Sequence, residues 1–69
     1  MIIIIKIERN ELEGFDVVEY STSGRLCKIT TKELNVAHEY IDLMKEECGL
    51  SMFKLDEKTW RIDLLLSQF

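Results

Sequence analysis

The single histidine, His38, stands one residue before Glu39 and four before Asp42. On a helix His38 and Asp42 would share a face, and an imidazole beside a carboxylate is the pairing that acid–base catalysis uses. No nucleophile and no third group to orient the base accompany them. The plainer reading is a solvated helix histidine, and no enzymatic activity is expected.

Cys27 and Cys48 have no second Cys or His at metal-ligand spacing. Their apolar neighbours make them two buried, reduced thiols, with one disulfide as the alternative, and this usage points to a cytoplasmic protein. Asp42, Glu46 and Glu47 could draw a divalent cation, but they lack the loop spacing that calcium sites need. None of the three glycines stands in a phosphate-cradling arrangement. No metal and no cofactor is expected.

Trp60 and Tyr20 could stack nucleobases on a sheet, with Lys6, Lys28, Lys54 and Arg61 as a modest basic strip if their strands are neighbours. Trp60 is in phase with Ile62 and Leu64, which favours core packing. A net charge of −4 also lacks the clustered cations that displace counterions from a phosphate backbone. A nucleic-acid-binding regulator using the sheet face is therefore the second reading.

The elements that carry these residues are more legible than any site. Residues 30–49 read as one amphipathic helix. Thr30 and Glu33 fit a capping box, and Leu34, Ala37, Ile41, Met44 and Cys48 recur at spacings of three and four. Val36, Tyr40 and Leu43 widen that stripe, while Glu39, Asp42, Lys45 and Glu46 face away from it. Gly49 supplies the left-handed stop, and Leu50 suits the apolar contact of a Schellman-type end.

Residues 2–8 are a run of isoleucines with both faces starting apolar, the mark of an inner strand. Residues 15–20 and 25–29 form a hairpin around the small, polar 21–24 turn. Residues 51–55 and 59–66 form a second hairpin around Asp56, Glu57 and Lys58, the last strand alternating apolar and polar.

One α+β domain over residues 1–69 follows, with the order β-β-β-α-β-β. A single helix covers one face of a four- or five-stranded, mostly antiparallel sheet. The absence of proline and an apolar share of 46% suit a folded chain. Residues 1–7 are too short and too interrupted by Lys6 for a membrane span or leader, so no membrane partner is expected.

One helix covers one face only. With Ile3, Ile5, Ile7, Phe53, Leu55, Trp60, Ile62 and Leu64 assigned to the helix side, the other face displays Ile2, Ile4, Met52, Leu65 and Val17 or Val18. Lys6, Lys54, Arg61 and Asp63 fringe it. So apolar a face left in water marks a contact surface, unless Phe69 and the flanking loop fold back over it or the third and fourth strands take another register.

Five acids against two bases over residues 32–48 make the helix the acidic side of the molecule, and Glu39, Asp42 and Glu46 are its outward contact residues. The expected function is a small non-catalytic protein-binding module. It would inhibit or adapt a larger protein, or pair with itself as a homodimer, through Ile2, Ile4, Met52, Lys54, Arg61 and Leu65 or through the acidic helix. Compact, proline-free chains of this size are frequent among phage and mobile-element (viral) inhibitors of host machinery, an association of size and composition only.

Overall fold

The structure, a computed structural model, describes residues 1–63. It contains five strands, β1 (Ile2–Arg9), β2 (Phe15–Ser21), β3 (Gly24–Thr31), β4 (Met52–Asp56) and β5 (Thr59–Asp63). One helix, α1 (Leu34–Cys48), and a 3₁₀ turn at Gly49–Ser51 lie between β3 and β4. The strands form one sheet in the order β3-β2-β1-β5-β4, and every neighbouring pair is antiparallel. The α+β reading holds, and β1 is the central strand.

The physical reason lies in residues 2–7. Ile3, Ile5 and Ile7 turn to the helix side, where Ile5 and Ile7 are buried and Ile3 packs against them. Ile2, Ile4 and Lys6 turn to the other side. A strand that is apolar on both faces avoids an edge, where one side of its backbone would stay unpaired.

The core lies between sheet and helix. It joins Ile5, Ile7, Val17, Met52, Trp60 and Ile62 of the sheet to Ala37 and Ile41 of α1. Leu34, Tyr40, Met44 and Cys48 pack against it, as their spacing predicts. The stripe is narrower than expected on one side, because Leu43 stays 60% exposed.

The two ends of the helix fared differently. Its start is not the predicted capping box: Thr30 and Thr31 belong to β3, where they pair with Asp16 and Phe15. Two β-branched threonines fit an extended ladder better than a first helical turn. The N-cap position falls to Glu33, which makes no side-chain cap. Thr31 Oγ1 instead accepts a hydrogen bond from the Glu33 N–H at 3.2 Å.

The helix stops at Gly49 as expected, its N–H bonded to the Lys45 carbonyl, but φ +58° comes with ψ −127°, which is not the left-handed helical conformation expected for the stop. Leu50, however, is 90% exposed and makes no Schellman-type contact. Lys45 closes this end: its Nζ donates to the carbonyls of Gly49 and Met52, tying the helix terminus to the start of β4. A cation on the last carbonyls also complements the helix dipole.

Each edge strand carries a bulge. In β3 the pairing steps from Val17↔Ile29 to Val18↔Cys27, leaving Lys28 over; in β4 it steps from Asp56↔Thr59 to Lys54↔Trp60, leaving Leu55 over. The second of these bulges decides which side chains the far face of the sheet displays.

Candidate protein-contact surface

Without a bulge, Asp56↔Thr59 would be followed by Leu55 opposite Trp60 and Phe53 opposite Ile62, which is the expected assignment. The extra residue at Leu55 shifts the pairing by one, to Lys54↔Trp60, Phe53↔Arg61 and Met52↔Ile62. A one-residue slip moves every side chain of a strand to the other face. Met52 is therefore a core residue, 1% exposed, and Lys54 points to the helix side. Both leave the predicted contact set. Phe53, expected in the core, turns to the open face and is 42% exposed.

The open face falls into two halves. Across β1, β2 and β3 it is sealed by its own polar side chains. Val18 lies on this side, outside the helix-facing core, and is nevertheless fully buried. Tyr20 stands in the row of Ile4, and Glu8 in the row of Asp16; Val18 and Lys6 form the row between. Tyr20 Oη donates to Glu8 Oε2, and Arg25 Nη2 donates to Glu8 Oε1 at 3.3 Å, so the network passes over Val18. Tyr20 first, and then Glu8, raise the Arg25 guanidinium above its ordinary pKa.

Beyond Val18, Asp16 Oδ1 accepts from Asn10 Nδ2 and from Thr30 Oγ1, each at 2.9 Å. These two donors, Asn10 first, hold the Asp16 carboxyl below its ordinary value of 3.8. A lowered folded-state pKa means stability present above that ordinary value and lost as pH falls through the folded value. Asp16→Asn is expected to flatten the acid limb below pH 3.8, read as the urea midpoint against pH. An unchanged acid limb would show that Asp16 does not couple to folding.

Among the described residues, no such network covers the other half, across β1, β5 and β4. Ile2 is 47% exposed, Ile4 is half-buried, and Phe53 stands in one cross-strand row with Arg61 and Ile4. Arg61 contacts Asp63 at 3.9 Å along its own strand, and Lys6 and Thr59 form the next row down. Of the predicted contact residues, Ile2, Ile4 and Arg61 are brought together here, and Phe53 joins them. Leu65 lies outside the described residues, as do Leu64, Leu66 and Phe69. The signal that could have found Phe53 is the surplus residue in the 52–59 hairpin, whose parity is odd unless a bulge absorbs it.

Glu39, Asp42 and Glu46 are exposed on α1, with Leu43 among them. The helix packs on the other side of the sheet, so these acids form a separate surface from Ile2, Ile4 and Phe53.

The remaining chemical candidates are dispersed. His38 is half-buried and meets Trp60 edge-on, with ring centroids 5.8 Å apart, so it is a packing residue rather than a solvated one. Trp60 is buried on the helix side and Tyr20 lies on the open face, so no common stacking platform exists for them. The basic strip breaks up likewise: Lys28 sits in a bulge, Lys54 faces the helix side, and only Lys6 and Arg61 share a face.

Both cysteines are free thiols, and Cys27 is exposed on edge strand β3 rather than buried. Among the described residues no group of three or more His, Cys, Asp and Glu could hold a metal ion, and no helix is long and apolar enough to cross a membrane. A shallow, solvent-open hollow lies where β1 outruns β5, lined by Lys6, Glu8, Asp56, Lys58 and Thr59. The Lys58 N–H, and then Thr59, hold the Asp56 carboxyl there below its ordinary value.

No protein family, curated protein or solved structure matches this chain significantly.

Proposed function

We propose that the chain is a small, non-catalytic protein-binding module that acts by occupying a protein surface, as an inhibitor or adaptor does. One observation carries the reading. Ile2 and Phe53 are 47% and 42% exposed on one face of the sheet, on β1 and β4 either side of β5, with Ile4 beside Ile2 and Arg61 between Ile4 and Phe53. Exposed apolar side chains grouped around an arginine are a composition that suits a docking surface. Covering the exposed part of each such side chain contributes roughly half of the 1.5–3 kcal/mol of a full burial. The half of the same face that seals itself with Glu8, Tyr20 and Arg25 makes the contrast sharper.

A second surface on the same molecule has an observation of its own: Leu43 is 60% exposed on the helix that bears Glu39, Asp42 and Glu46. It suits a partner with an apolar notch and basic surroundings. The nucleic-acid reading has less support, since Trp60 and Tyr20 lie on opposite faces.

The test is the native mass of the tagged chain in the cells that make it, compared with Phe53→Glu. The wild type is expected to migrate in a particle heavier than the tagged chain alone. The variant is expected to fall to the mass of the chain alone, with its thermal melt within a few degrees of wild type. A wild type that runs as the free chain at every concentration would overturn the reading.

A further inference from the structure

We propose that the outer edge of β3 takes one more strand from a partner, an extended acidic peptide segment that pairs with the backbone of Gly24–Thr31. This edge is separate from Ile2, Ile4 and Phe53, and its use goes beyond the open-face reading above.

The backbone direction comes first. Ile7 donates its N–H toward the β5 side, to the Lys58 carbonyl at 2.9 Å. Direction alternates along an antiparallel ladder, so the even-numbered residues of β1 and β2 bond to each other and the odd-numbered residues of β2 bond to β3. Their partners in β3 are Gly24, Leu26, Ile29 and Thr31. The N–H and C=O groups of Arg25 and Thr30 therefore point outward. Among the described residues, no strand pairs with this side of β3. A long bare edge is a template for another extended chain.

The other edge is less open. By the same alternation Met52 and Lys54 turn outward on β4, and Lys45 already donates to the Met52 carbonyl. β4 has five residues against eight in β3.

Charge then selects the partner. Residues 21–32 hold three of the chain's nine cations, Arg25, Lys28 and Lys32, and none of its thirteen acids. All three cations are exposed. The carboxylates of Asp16 and Glu8 stand further in and are already engaged, by Asn10 and Thr30 and by Tyr20 and Arg25. Glu19 lies one strand in, opposite Leu26. An added strand with carboxylates along one side meets Lys28 in the bulge and Lys32 just past the end of β3. Leu26, 54% exposed, offers an apolar contact to its other side. Such an edge favours an acidic segment and opposes a basic one.

The bulge at Lys28 narrows the choice further. A bulge and a lysine on an edge oppose pairing with a second long, flat sheet edge, whereas a single flexible segment follows the local twist. Arg25 and Thr30 lie on either side of that bulge, within the span of about seven extended residues at about 3.3 Å each.

The experiment is amide hydrogen exchange on the full chain, with and without an end-blocked peptide of about seven residues alternating glutamate and valine, added up to about 1 mM. In the free chain the Arg25 and Thr30 amides are expected to exchange fast, and those of Leu26 and Ile29 slowly. The peptide is expected to slow Arg25 and Thr30 at least about tenfold. Lysine in place of glutamate in the peptide is expected to weaken binding at least about tenfold, and Lys28→Glu to reverse that preference. The amide spectrum of the variant shows whether its fold is kept, and the two peptides on the wild type carry the charge test by themselves if it is not. A glutamate–valine peptide with every backbone amide N-methylated keeps its charge, has no N–H to pair, and is expected not to bind.

Unchanged exchange at Arg25 and Thr30 at about 1 mM peptide overturns the inference. So does a lysine peptide that binds as well as the glutamate peptide. An N-methylated peptide that binds as well as the parent overturns strand pairing. Amide shifts confined to Ile2, Ile4 and Phe53 overturn the inference and support the open-face contact surface in its place.

Discussion

Replacing Trp60 with alanine is expected to leave the chain largely unfolded at 25 °C. Trp60 is 7% exposed on β5, directly across from the fully buried Ile5 of the central strand. Its other side meets His38 of α1 edge-on. It therefore joins the helix to the two strands at the middle of the sheet. Truncating a buried tryptophan costs about 3–5 kcal/mol, since the surroundings collapse only partly into the space. A chain of this length rarely has more than about 3–5 kcal/mol of net stability, so the loss matches the whole.

The measurement is urea denaturation followed by far-ultraviolet circular dichroism, because the substitution removes the chain's one tryptophan and with it the usual fluorescence probe. Trp60→Phe keeps an aromatic ring in contact with Ile5 and is expected to remain folded, with a lower midpoint. A Trp60→Ala protein that melts at the wild-type midpoint would show that the helix-side core is not organised around this residue.

The second large effect is expected at Gly14. A β-carbon there would stand 2.7 Å from the Thr31 carbonyl oxygen and 3.3 Å from Asn10 Nδ2. The first of these is backbone in the ladder that pairs Phe15 with Thr31, so it cannot step aside as a flexible side chain would. The second belongs to the side chain that organises the loop. Asn10 Oδ1 accepts from the N–H groups of Leu12 and Gly14, and Asn10 Nδ2 donates to Asp16.

Gly14→Ala is expected to cost about 1–3 kcal/mol, as overpacking against an unyielding neighbour does. That lowers the melting temperature by about 4–8 °C for each kcal/mol. Gly49→Ala is the control. Gly49 has φ +58° and ψ −127° but open space around the added carbon, so its cost is backbone strain alone, about 1–3 kcal/mol. A Gly14→Ala protein that melts at the wild-type temperature would show that β3 and the 10–14 loop yield together.

Two surfaces emerge with different origins, and they were not equally legible. The acidic outer side of α1 is readable from spacing alone, because positions three and four apart must share a helix face. Glu39, Asp42 and Glu46 are exposed there, as that rule requires. The open sheet face was legible only in part. Ile2, Ile4 and Arg61 sit on it because β1 and β5 pair without interruption, so the period of two carries straight through. Met52 and Lys54 do not, because one surplus residue at Leu55 reverses the parity of β4 upstream of it.

The sealed half of the face was not legible at all. Val18 is buried by a network whose donors, Tyr20 and Arg25, stand 12 and 17 residues from the Glu8 carboxylate they share. They meet only once β1, β2 and β3 are in register. The same holds for His38 and Trp60, which are 22 positions apart in the numbering and become neighbours when helix and sheet close on each other.

Residue order along the chain was enough for whatever short-range physics controls. This covers the five extended segments, the single amphipathic helix and its stop at Gly49, and the central place of a strand that is apolar on both sides. Packing in three dimensions set everything that depends on register and on the path between elements. It set the strand order β3-β2-β1-β5-β4 and the two bulges. It drew Thr30 and Thr31 into β3 and away from the helix cap, and it exchanged Met52 and Phe53 between core and contact surface. Helical spacing is counted within one segment and survives any packing, whereas the side a strand residue faces depends on every pairing between it and the next bulge.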